Sequence, residues 1–214
     1  MKKSVKTLIW GLLAIVLTMA LGMIDTKVIA ETGTEVGFAT FNQVVWEFFG
    51  VNAIWDTVAD VLMWTLVVLA AVAGAWSLMR WAKDDKDSAK IGRGIVGFAG
   101  ASALMVGVHW FFDNIWVINY RPVLVDGMKE VSFPSAHSLV AVVLGISVAM
   151  LLCQLVKNRT VKIIIDTVLP TMMVCILVGR LMSGMHWATD VLGALCYGMV
   201  IVSAYQWWME ARHE

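Results

Sequence analysis

Six stretches of this chain are long and apolar enough to cross a membrane, and that constrains the fold more than any other feature. They are Thr7–Ile24, Val58–Met79, Ile91–Phe112, Ser138–Val156, Ile163–Met182 and Trp187–Trp207. A spanning helix needs about 17 to 25 mostly apolar residues. With 60% hydrophobic residues among 214, little chain remains for a separate soluble domain. The expected architecture is therefore all-α: a polytopic bundle of six transmembrane helices forming one integral membrane domain over residues 1–214. Formal net charge is zero and there is no basic tail, so nothing points to nucleic acid.

Lysine and arginine asymmetry sets the expected orientation. With the N-terminus cytoplasmic, the inner segments carry Lys2, Lys3, Lys6, Arg80, Lys83, Lys86, Lys90, Arg93, Lys157, Arg159, Lys162 and Arg212. The outer side keeps only Lys27, Arg121, Lys129 and Arg180. Both termini are then cytoplasmic in the plasma membrane. The start of the chain also has signal-peptide grammar, with lysines before an apolar run and Val28-Ile29-Ala30 as a small-residue site. The run is long enough to span, however, and Asp25 and Lys27 lie between it and that site, which favours a retained first helix.

Between the first two spans, Phe38, Phe41, Val45 and Phe48 recur at helical spacing, with Trp46 and Trp55 nearby. This is the pattern of an amphipathic interfacial helix, or of a loop packed over the bundle face. Gly94, Gly97, Gly100 and Gly107 in the third span predict close helix approach and a central place in the bundle. Cys153, Cys175 and Cys196 all fall inside spans, with neither metal-ligand nor disulfide spacing, and read as apolar packing.

Three short polar motifs all fall on the outer side: Tyr120-Arg121-Pro122, Pro134-Ser135-Ala136-His137, and Gly179-Arg180 followed by His186 and Asp190. Charge near a membrane is expensive and tends to be functional. His186 and Asp190 are four apart, a spacing that on a helix puts them on one face, a turn apart. A carboxylate that takes the proton of one imidazole nitrogen leaves the other as a nucleophile. Pro134-Ser135 reads as the capped start of the fourth span, whose free N–H groups and positive dipole end suit an anion. His137 is placed to protonate a leaving alcohol. Arg121 and Arg180 supply forked, permanently charged donors for phosphate oxygens. Spacing alone does not identify the site, because His109 and Asp113 repeat it without a basic residue close before them; His109 reads as a structural polar group.

The ordered set Arg-Pro, Pro-Ser-x-His and Arg-x5-His-x3-Asp resembles the type 2 phosphatidic acid phosphatase superfamily, the membrane lipid phosphatases related to vanadium haloperoxidases. The family pattern is Lys-x6-Arg-Pro, Pro-Ser-Gly-His and Ser-Arg-x5-His-x3-Asp, and the match runs over residues 114–190. The resemblance implies that His186 forms a phosphohistidine, Asp190 orients it, His137 is the general acid, and Arg121, Ser135, Ala136 and Arg180 bind phosphate. It implies no metal and no cofactor. The implied substrate is a membrane lipid phosphate: undecaprenyl pyrophosphate, phosphatidylglycerol phosphate or phosphatidic acid. A phosphotransferase on the same fold, and a non-catalytic transporter or scaffold, are the rival readings.

Three positions depart from the pattern. Ala136 replaces glycine, Gly179 replaces serine, and Asn114 stands where the family has its lysine. Losing one charge-assisted contact costs about 1.5–3 kcal/mol. Lys129, in the outer loop before Ser135, is the candidate to supply the missing charge over the phosphate.

Overall fold

The computed structural model describes residues 3–83 and 88–210. Lys2, Lys86 and Arg212, which enter the orientation argument, lie outside the described residues. The described elements are α1 (Lys3–Leu21), β1 (Lys27–Ile29), β2 (Thr34–Val36), α2 (Ala39–Phe49), α3 (Ala53–Ala82), α4 (Ser88–Asn114), α5 (Ala136–Leu155), α6 (Arg159–Met182) and α7 (Ala188–Glu210). All but α2 among the helices are long and apolar enough to cross a membrane, giving six candidate spans of an integral membrane protein. The main departure in length is α3, which begins five residues before its expected start. Asn52 caps it by accepting the Ile54 N–H, and Asp56 in the first turn favours the helix dipole.

α5 and α7 form the centre. α5 buries residues on every side, from Ser138 and Leu139 through Val142, Val143 and Gly145 to Leu151, as a helix surrounded by others must. The glycine-rich α4 does not take the central place expected of it. Gly97 does allow close approach: a Cβ there would sit 2.3 Å from the Tyr205 ring, whose hydroxyl donates to the Gly94 carbonyl at 2.9 Å. Gly100 and Gly107 face open space. Small residues thus mark close approaches of α4 to its neighbours, Gly92 to Trp81 of α3, Gly94 to Gln154 of α5 and Gly97 to Tyr205 of α7, without burial all round. α1 lies along α7, where Thr18 and Tyr197 share a hydroxyl hydrogen bond of 2.9 Å.

α2 is the helix expected between the first two spans, rotated so that apolar residues face outward, as an interfacial helix requires. Phe41, Val44 and Phe48 are exposed, whereas Phe38 precedes the helix and packs on the cluster of Leu21, Phe112 and Phe133. Buried Asn42 sets that rotation. Its amide donates to the Gly37 carbonyl and the Thr189 hydroxyl, both at 2.9 Å, and its carbonyl accepts the Thr189 N–H at 3.1 Å. α2 is thereby tied to the first turn of α7. β1 and β2 pair antiparallel just before it, with Val28 opposite Glu35.

Candidate active site

The chain direction alternates from span to span, so the N-terminal ends of α3, α5 and α7 meet the C-terminal ends of α4 and α6 at one end of the bundle. The loop after α4 folds back as a narrow hairpin: Arg121 N–H donates to the Glu130 carbonyl at 2.9 Å, and Ser132 N–H to the Asn119 carbonyl at 3.0 Å. Its tip is Asp126-Gly127, both at positive φ, the dipeptide that a tight hairpin turn favours. That signal is present in the sequence. The hairpin holds Arg121 outside any helix, and its Nε lies 3.1 Å from Glu130 Oε2.

Ser135 caps α5, its Oγ accepting the Ser138 N–H at 3.4 Å. It is fully buried, and its own N–H reaches the Asp190 carbonyl at 3.2 Å. Ala136 and His137 open the helix. His137 Nε2 meets Asp60 Oδ1 at 2.6 Å. Arg180, in the last turn of α6, is 1% exposed; its Nη1 donates to Asp56 Oδ1 and lies 3.8 Å from Asp60 Oδ1. Asp56 and Asp60 sit one turn apart on α3, and both turn toward the site.

His186 does not lie within a helix. α6 ends at Met182, Gly184 turns the chain at φ 71°, and α7 starts at Ala188. Asp190, in the first turn of α7, reaches back so that its Oδ2 accepts the Trp187 N–H at 3.0 Å, one half of a capping box. The same oxygen lies 3.5 Å from His186 Nδ1. Asn119 Nδ2 donates to the other oxygen at 2.9 Å. The His–Asp contact thus comes from a helix start that caps itself. Burial, with smaller contributions from the nearby Arg180 and Arg121 charges, pushes the His186 imidazole down to about 4 against the opposing pull of Asp190. At neutral pH the ring is therefore unprotonated. With Nδ1 toward the carboxylate, Nε2 is the nitrogen left with a lone pair.

A cavity of about 410 Å³ gathers these groups. Its wall includes Arg121, Ala136, His137 and His186, together with Asn114, His109, Asp113, Glu130 and Ser132. Asp190 stands behind His186. Arg180 and Ser135 are buried beside the cavity and are not part of its wall. Lys129 is not brought to it: the side chain is exposed, with Nζ 3.8 Å from where a Cβ on Gly33 would lie. Asn114, at the family lysine position, is in the wall and donates its amide to the Trp110 carbonyl at 2.9 Å. Sequence reasoning did not find Asp56, Asp60, Asn119 or Glu130 as site residues. An acid inside an apolar run, Asp60, was the available signal; Asn119 carries none. Among the described residues no group of three or more His, Cys, Asp or Glu is placed to hold a metal ion.

A family model described as the PAP2 superfamily matches residues 115–214. Among solved structures, the chain is similar to the first transmembrane PAP2 type phosphatidylglycerolphosphate phosphatase, from Bacillus subtilis. The TM-score is 0.66, with 17% identity over 97% of each chain, a likeness of fold. No curated protein matches the chain.

Proposed function

Through residues 115–214 the chain belongs to the PAP2 superfamily, and on that premise we propose that it cleaves the phosphate or pyrophosphate ester of a membrane lipid through a phosphohistidine. The observation that carries this reading is one cavity whose wall combines Arg121, His137 and His186, with Asp190 Oδ2 3.5 Å from His186 Nδ1.

In the first step Nε2 of His186 attacks phosphorus. An N–P bond forms, the P–O bond to the lipid breaks, and His137 gives a proton to the departing oxygen. Arg121 lies where equatorial phosphoryl charge develops, and the buried guanidinium of Arg180 adds positive potential behind it. The free N–H groups at the start of α5, Ala136 among them, face the same anion. In the second step water attacks phosphorus, His137 takes its proton, and the N–P bond breaks to release inorganic phosphate and restore both imidazoles. Such a transfer demands positioning and charge stabilisation more than covalent help from other groups.

The substrate class follows from the membrane fold, since a site at the end of a bundle meets lipid head groups. Phosphatidylglycerol phosphate, named for the B. subtilis protein, is the first candidate, followed by undecaprenyl pyrophosphate and phosphatidic acid. The lysine and arginine bias supports a site on the extracytoplasmic side of the plasma membrane.

The test is phosphate release from these three lipids in detergent with a chelator present. The wild-type chain is expected to release phosphate, with inhibition by vanadate, and to trap acid-labile, alkali-stable label on histidine. His186→Ala should do neither. Release retained in His186→Ala would overturn the assignment of the nucleophile. Transfer of label to an acceptor lipid instead of water would make the protein a phosphotransferase.

A further inference from the structure

The proposed chemistry needs a proton donor that is charged and aimed when the lipid oxygen departs, yet His137 has no partner within its own motif. The partner comes from α3. Asp60, 77 residues earlier in the chain, places Oδ1 2.6 Å from His137 Nε2. That oxygen also lies 3.8 Å from Arg180 Nη1, and Asp56, one turn before, takes the same Nη1. A carboxylate inside a spanning helix is costly unless it is paired or wet. Here the two acids pair with the two basic groups that the motifs bring to α5 and α6.

We propose that Asp60 is the positioning residue of the general acid: it accepts the Nε2–H of His137, holds the ring, and stabilises the imidazolium that donates its other proton, from Nδ1, to the leaving oxygen. This rests on the reading of His137 as the acid. The balance is simple. His137 starts with two N–H groups, loses the Nδ1 proton as the P–O bond breaks, and regains one from water in the second step. Asp60 stays ionised throughout, as the carboxylate behind a catalytic imidazole does in other systems.

Other charged groups at the cavity do not provide this service. Glu130 is engaged with Arg121 at 3.1 Å, Asp113 with His109 at 3.3 Å, and Asp190 with Asn119, Trp187 and His186. Asp56 faces Arg180. Asp60 is the carboxylate on His137.

The experiment compares two esters. An alkyl lipid phosphate has a poor leaving group and needs the acid; p-nitrophenyl phosphate has a good one and does not. General acid catalysis is worth about 10²–10⁴-fold. Asp60→Asn should therefore lower kcat on the alkyl ester by roughly 100-fold or more, with KM within about threefold, and lower kcat on the aryl ester by about tenfold or less. Asp60→Glu should restore part of the alkyl activity and carries the same comparison if Asp60→Asn does not fold. Equal losses on both esters, or no loss on either, would overturn the role. His186→Ala separates the two readings. If wild type is active and depends on His186 while the Asp60 variants behave like it, only the inference about Asp60 fails. If His186→Ala is as active as wild type, the phosphohistidine reading fails first.

Discussion

Two His–Asp pairs with identical spacing border the same cavity, and they differ in almost everything but spacing. His109 and Asp113 lie inside α4, where residues four apart share a face, and meet at 3.3 Å with 40% and 36% of their side chains exposed. His186 and Asp190 straddle a helix start and meet at 3.5 Å with 4% and 0% exposed. Both oxygens of Asp190 are held by donors, from Asn119 and Trp187, and the backbone of Asp190 also anchors Ser135. For Asp113 the contact is His109. Spacing brings a carboxylate to an imidazole; burial and the partners behind the carboxylate decide whether the imidazole is held in one tautomer and kept neutral.

Perturbing each pair tests that distinction. The largest effect is expected for His186→Ala, which should take lipid phosphate release to the detection floor. Asp190→Asn comes next, with kcat lowered by about 10²–10⁴-fold, since an amide in that place favours the wrong tautomer. Asn119→Ala leaves a buried carboxylate oxygen without its donor at a cost of about 1–3 kcal/mol; it should lower both kcat and the thermal midpoint in detergent.

The pH dependence of stability gives a smaller signal with a definite sign. The His186 pKa is depressed to about 4 in the folded protein, whereas an unfolded imidazole titrates near 6.5. Below about 6.5 the unfolded chain binds a proton that the folded one refuses. The stabilisation is therefore present above 6.5 and is lost as pH falls toward 4. Thermal midpoints between pH 7 and 4.5 should fall less steeply in His186→Leu than in wild type.

The smallest effect is expected for His109→Gln, with kcat/KM within about threefold. A loss in His109→Gln as large as that in Asp190→Asn would erase the contrast between the pairs.

Much of the site was readable before folding because its parts are local. Pro134-Ser135 announces a capped helix start, Arg121-Pro122 an extended arginine, and the apolar runs on either side put both at one face. The His186–Asp190 contact was also readable, but for a different reason from the one that operates: a capping turn, not the face of a helix. Asp56 and Asp60 were not read as site residues, because their partners are 124 and 77 positions away. Lys129 lies off the cavity wall, its exposed side chain near Gly33 beyond the hairpin tip at Asp126-Gly127. The place of α4 was misjudged for a physical reason particular to membranes. Lipid tails are as apolar as a protein core, so glycine and alanine content does not say which face of a helix meets protein.

By itself the sequence determined the number of spans and where each apolar run lies, because the thickness of hydrocarbon sets the length that a crossing helix needs. It also determined the types of polar group gathered at one face. Only the tertiary structure decided that α5 and α7 are central, that α3 supplies the carboxylates facing Arg180 and His137, and that Asn119 and Asn42 brace the start of α7. Those pairings join residues far apart in the chain, and no local propensity or spacing encodes which distant helix will pack beside which.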